Sequence, residues 1–225
     1  MARPERALDL WIGASLAADR TTDVVVTWTA RPQANAAELT RGTIAIVAQG
    51  AGEKQTFEAP LDAHQLAFKV APGALQIHAT VRDSQGQTAD EDMRQVDVPD
   101  FVRAKLALSS PAVLRARNPM ELRSLRADKA TTPFAGREFT RTDRLFIRFS
   151  VYGEAARQAD VSARLLSRGG GALLALPVTG PAAAGAPYEI DLPLASVARG
   201  DYLIEVAARA GDDHTETLIP LRIVS

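Results

Sequence analysis

Thr22-Asp-Val-Val-Val-Thr-Trp28 and Thr142-Asp-Arg-Leu-Phe-Ile-Arg148 are the stretches whose reading decides the fold. In the first, Val24, Val26 and Trp28 fall on one side of an extended chain. In the second, Leu145 and Ile147 lead on to Phe149 and Val151 in the same rhythm. Apolar residues at every second position mark a half-buried strand, because successive side chains leave a strand on opposite faces.

Working outward, the same alternation recurs in Leu8, Leu10, Ile12, Ala14 and Leu16, then in Thr43–Ala48, Gln65–Val70, Leu75–Val81 and Arg94–Val98. The second half repeats it in Val161, Ala163 and Leu165, in Tyr188–Leu194, in Tyr202–Ala208 and in Thr217–Val224. Gly, Pro, Asn and Asp bound each run and supply turn geometry. Short strands with no interleaved helices predict an antiparallel sandwich and not a βαβ fold.

The two quoted stretches also align with each other, at an offset of roughly 120 residues. Thr43–Ala48 then falls on Val161–Leu166, and Ala71–Ala79 on Ala198–Val206. The fold class is therefore all-β, as two tandem immunoglobulin-like antiparallel β-sandwich domains over residues 1–100 and 104–225. Pro99 is a natural end for the first sheet, since proline cannot donate to a ladder. Gly200-Asp-Tyr202 opens a penultimate strand in the manner of a tyrosine corner; its counterpart in the first repeat is Leu75. One segment departs from the pattern. Asn118-Pro-Met-Glu121 has an N-cap, Pro at N1 and Glu at N3, which predicts a short helix over about 118–127, with Leu122 and Leu125 as a narrow apolar stripe. Lys129–Gly136 then reads as loop.

The composition narrows the chemistry. The 225 residues hold 26 Lys+Arg, 27 Asp+Glu and no Cys. Disulfides, thiolate zinc sites and cysteine nucleophiles are therefore excluded. A net charge of -1 offers no bulk attraction to nucleic acid. No apolar run approaches the roughly 20 residues that span a bilayer. Met1–Arg6 is charged and does not read as a signal peptide. That leaves either a cytoplasmic protein or a piece of a longer exported chain.

No Gly-x-Ser-x-Gly elbow or phosphate loop is present, and Gly169-Gly-Gly171 reads as a hairpin turn. His64, His78 and His214 are isolated and read as surface residues. Asp90-Glu-Asp92 and Asp212-Asp213 are the candidate calcium-contacting clusters, but neither has EF-hand spacing, and both read as solvated turns. Between Arg103 and Arg148 there are 11 basic residues against 4 acidic, a stripe read as a solvated face. No catalytic, cofactor-binding or metal-ligating residue is assigned, and the chain reads as non-enzymatic. Trp11, opposite in face to Leu10 and Ile12, is the aromatic expected to be exposed, and it carries an alternative carbohydrate-binding reading.

Arg137-Glu-Phe-Thr-Arg-Thr-Asp-Arg-Leu-Phe-Ile-Arg-Phe149, Val96-Asp-Val-Pro-Asp100, Ile190-Asp-Leu-Pro-Leu194 and Gly200-Asp-Tyr-Leu-Ile-Glu-Val206 together resemble the C-terminal β-rich region of bacterial, acidobacterial-type von Willebrand factor A-domain-related proteins. The A domain's own Asp-x-Ser-x-Ser metal motif occurs nowhere in this sequence, so its cation chemistry does not carry over. The resemblance implies an exported or cell-envelope setting within a longer chain. It also implies a spacer or protein-interaction role toward an upstream A domain or an envelope partner; separately from the resemblance, the groove between the two domains and the Asn118–Gly136 insertion are the expected contact surfaces. The resemblance supplies no site residues.

Overall fold

The computed structural model describes residues 6–31, 41–128, 131–183 and 185–224. The chain divides into two compact units, Met1–Asp100 and Phe101–Ser225. Among the described residues the structure is strands with a single α-helix, and no helix is long and apolar enough to cross a membrane.

The first unit has two antiparallel sheets. One joins β1 (Leu8–Leu16), β2 (Thr22–Ala30) and β5 (Gln65–Val70) in the order β1-β2-β5. The other joins β3 (Thr43–Gln49), β4 (Gln55–Pro60), β6 (Gly73–Arg82) and β7 (Thr88–Val98) in the order β4-β3-β6-β7. The alternating residues of both sheets are buried: Leu8, Leu10, Val24, Val26 and Trp28 from the first, and Ile44, Ile46, Leu75, Ile77 and Val81 from the second. Burying such side chains stabilises a fold by about 1.5–3 kcal/mol each relative to exposure. The Trp28 indole N–H would be orphaned in that core, and it donates to the Leu61 carbonyl at 2.7 Å.

The second unit begins with a two-residue pairing of β8 (Ala107–Leu108) with β12 (Val151–Tyr152). Its main sheets are β15-β16-β11-β9 and β10-β18-β17-β13-β14. The strands are β9 (Ala112–Ala116), β10 (Glu138–Phe139), β11 (Arg144–Phe149), β13 (Asp160–Ser167), β14 (Ala172–Leu176), β15 (Val178–Thr179), β16 (Tyr188–Pro193), β17 (Gly200–Ala210) and β18 (Asp213–Ile223). Val113, Leu145, Ile147, Ile190 and Leu192 of the four-stranded sheet share one hydrophobic cluster with Leu165, Ile204, Val206 and Ile223 of the five-stranded sheet. This is an immunoglobulin-like sandwich.

The tyrosine corner is present. Tyr202 donates its hydroxyl to the Ala198 carbonyl at 3.0 Å. At the matching place in the first unit, Leu75 is buried instead. Both strands open on a glycine with positive φ, 125° at Gly73 and 154° at Gly200, a conformation that a side chain disfavours.

The helix α1 (Pro119–Ala127) stands where the chain changes sheets. Before it, β9 pairs antiparallel with β11; after it, β10 runs parallel to β18 in the opposite sheet. Asn118 Oδ1 accepts from the amides of Met120 and Glu121 at 3.0 and 2.9 Å. Glu121 reaches back to the Arg117 amide at 2.8 Å and to the Asn118 side-chain amide at 2.9 Å. The capping box thus satisfies amides that the first helical turn leaves without partners.

Candidate functional site

The expected sites look different once the chain is folded. Asp90 and Asp92 do not sit in a solvated turn; they lie within β7 and their side chains are largely buried. Asp90 Oδ2 accepts from the amides of Ala7 and Leu8, at 2.8 and 3.2 Å, so it holds the entry to β1. Asp92 is gripped by Arg6 at 2.6 Å and by Arg94 at 2.8 Å. Burial pushes the Asp92 carboxyl up, but the two guanidiniums outweigh it and hold the group below the usual carboxylate range.

Asp212 lies in the turn between β17 and β18, and Asp213 begins β18. His64 is exposed with φ of 59°, His78 is half-buried on β6, and His214 faces Glu216 at 3.5 Å. Among the described residues no three His, Cys, Asp or Glu side chains gather as a metal site would require.

The Arg103–Arg148 stripe is not uniformly solvated. On β11, Leu145, Ile147 and Phe149 point into the sandwich, which leaves Arg144, Phe146 and Arg148 on the outer face by alternation. Phe146 is buried nonetheless, as are Leu114 and Ala116, which sit beside it and beside Arg144 in register. Arg148 is only 8% exposed. Its Nη2 donates to the Leu125 carbonyl at 2.6 Å, its Nη1 to the Asp128 carbonyl at 2.8 Å, and its Nε to Glu189 at 3.1 Å. One side chain therefore fastens the C-terminal end of α1 onto the outer face of its own sheet. Cations at that end also meet the negative pole of the helix. Asp191 adds a second tie, accepting from Arg126 at 2.6 Å and Arg144 at 2.5 Å. The insertion expected to offer itself to partners thus spends its inner side on its own domain. Its remaining free side presents Met120, Arg123 and Ser124.

Trp11 also departs from expectation. It is half-buried, and its ring lies over Gly13 so closely that a Cβ there would meet ring carbon at 2.0 Å. The indole covers its own strand, and among the described residues no Phe, Tyr or Trp falls in the exposed class.

The site that the sequence reading passed over is the edge strand β14. It closes one side of the five-stranded sheet, pairing with β13 and, among the described residues, with no strand beyond. Leu173 and Leu174 are 56% and 52% exposed. The register of β13 against β14 slips between Leu165 and Leu166, so Leu173 is an extra residue and Leu174–Leu176 run regularly. An edge with free N–H and C=O groups pairs readily with another strand, and proteins ordinarily blunt such edges with charge. Among the described residues every other edge strand longer than two residues carries one: Asp9 on β1, Glu58 on β4, Lys69 on β5, Glu91 on β7 and Arg115 on β9. On β14 there is none, and no charged side chain occurs from Gly169 through Tyr188. That uncharged run was visible in the sequence; what it lacked was an address at the edge of a sheet.

No protein-family model and no curated protein matches the chain. Similar solved structures include the fibronectin(III)-like modules of Clostridium thermocellum CbhA, at 15% identity over 89% of this chain and 85% of that one, with a TM-score of 0.27. Another is a two-domain fibronectin type-III segment of chicken tenascin, at 14% identity over 95% and 97% of the two chains, with a TM-score of 0.30. A third is a pair of tandem titin Ig domains, at 10% identity over 97% of each chain, with a TM-score of 0.27.

Proposed function

We propose that the chain is a non-catalytic tandem β-sandwich module that contacts another protein by strand addition along β14. The observation that carries this reading is the contrast between the described edge strands longer than two residues: charged side chains stand on the others, and two half-exposed leucines stand on this one. In strand addition the backbone ladder supplies affinity, and side-chain alternation supplies selectivity. A neutral, apolar edge selects a neutral, extended segment with small or branched apolar residues. The resemblance to the C-terminal region of von Willebrand factor A-domain-related proteins supports placing the module within a larger exported protein, as spacer and docking region together. The half-buried Trp11 offers the carbohydrate alternative no comparable surface.

The test is a random peptide library selected on the full chain and counter-selected on Leu173→Lys. Extended, uncharged peptides retained by the wild type and lost by the variant are the expected result. Selected peptides that bind both proteins equally would remove β14 from the account.

A further inference from the structure

Granting β14 as the docking edge, we infer that one occupant is the same edge of a second copy of this chain, paired antiparallel about a twofold axis near the middle of the strand. Strands related by such an axis place each residue near its own counterpart, because an isologous contact uses one surface twice. A charge on the edge would then lie close to the same charge and oppose pairing. Asp9, Glu58, Lys69 and Arg115 carry that penalty on their strands, and β14 does not. Around Leu174 the pairing brings the two exposed leucines of one copy beside those of the other. Both lose water contact that they retain in the single chain. The ladder extends a sheet that already holds five strands, with the bulge at Leu173 leaving Leu174–Leu176 as its regular part.

The size of the contact sets its strength. A strand of five residues covers well under the roughly 1,200 Å² total of a stable specific interface. Self-association is therefore reversible and concentration-dependent, with a dissociation constant in the micromolar range or weaker. Gly169–Gly171 on one side and Pro177 on the other bound the pairing, and proline, with no N–H, stops the ladder from spreading. Both features favour a discrete dimer over an open fibre.

Sedimentation equilibrium of the full chain over roughly a hundredfold range of concentration measures the association. Amide exchange of residues 172–176 at the two extremes locates it. The expected result is a monomer–dimer equilibrium with slower exchange in β14 at high concentration. Leu174→Lys should weaken it at least about tenfold, and Leu173→Lys should weaken it in the same direction. Leu218→Lys, at an exposed leucine on the face of β18, should leave it unchanged. Circular dichroism of each variant verifies folding.

A wild type that stays monomeric throughout would overturn the inference. So would dimers that survive both β14 substitutions, or dimers that Leu218→Lys disrupts equally. A monomeric wild type that still retains library peptides through β14 would sink the second-copy occupant and leave strand addition standing. Dimers that depend on β14 without peptide capture would support the second copy as the occupant and sink the capture of unrelated extended segments.

Discussion

Replacing Arg148 with Ala tests the account of why the insertion is ordered. The side chain is 8% exposed and makes three hydrogen bonds, at 2.6, 2.8 and 3.1 Å. Bonds to a charged partner contribute about 1.5–3 kcal/mol each at most, and they do not add. Two opposing effects reduce the total. The guanidinium itself loses hydration in the native state, and Glu189, partly exposed, regains water when its partner goes. The Leu125 carbonyl loses its guanidinium donor, while the Asp128 carbonyl keeps the Thr131 hydroxyl at 3.0 Å. The expected cost is about 3 kcal/mol, toward the low end for breaking a buried pair.

The helix has nine residues, none of them buried. In isolation such a length is marginal in water, so loss of the tie should release it. Urea unfolding followed by circular dichroism gives the free energy, and amide exchange of residues 119–127 gives the local effect. Trp11 and Trp28 both belong to the first unit. Indole emission therefore reports that unit and should keep its own midpoint. Arg144→Ala is the comparison. It removes a tie to Asp191 from a side chain that is 41% exposed, and exposed pairs contribute about 0–1 kcal/mol. The reasoning fails if Arg148→Ala costs under about 1 kcal/mol with α1 still protected from exchange, or if Arg144→Ala costs as much.

Three further outcomes follow from other parts of the molecule. Tyr202→Phe deletes the corner hydrogen bond to Ala198 while keeping the ring, and should lower the urea-derived stability of the second unit by about 1 kcal/mol. Thr27 is 1% exposed and its hydroxyl has no partner among the described residues. Thr27→Val should accordingly raise the melting temperature, by an amount equivalent to about 1 kcal/mol, since it removes an unpaired polar atom without changing the shape. The depressed Asp92 carboxyl gives the sign of an acid effect. A group bound more weakly by protons in the folded state stabilises it above the unfolded value of about 3.9 and loses that contribution as pH falls through the lower folded value. The wild-type first unit should therefore lose stability on acidification below about pH 4, and Asp92→Asn should flatten that slope; an unchanged slope would show that the Arg6 and Arg94 contacts do not govern it.

Most of the long strands of both units were legible in the chain because alternation is a local property, whereas Gln55–Pro60 and Ala112–Ala116 carried too little of it to stand out. A half-buried strand must place apolar side chains at every second residue, whatever lies across from it. Val24, Val26 and Trp28, and Leu145, Ile147 and Phe149, announce their inward faces without any knowledge of their neighbours. The helix at Asn118–Ala127 was equally local, since its capping box closes within four residues. Even the tyrosine corner spans only Ala198 to Tyr202.

What tertiary structure alone decided is what those elements meet. Asp90 and Asp92 read as turn residues because nothing nearby in sequence answers them both; their partners include Arg6 and the Ala7 and Leu8 amides, more than eighty residues away. Arg148 read as one more solvated arginine until a helix twenty residues earlier presented its carbonyls. The neutral run after Gly169 acquired meaning only when Ala172–Leu176 became the last strand of a sheet. Periodicity records which side of a strand is apolar, but partners and edges depend on how distant strands are ordered, and that order is written in no single stretch of chain.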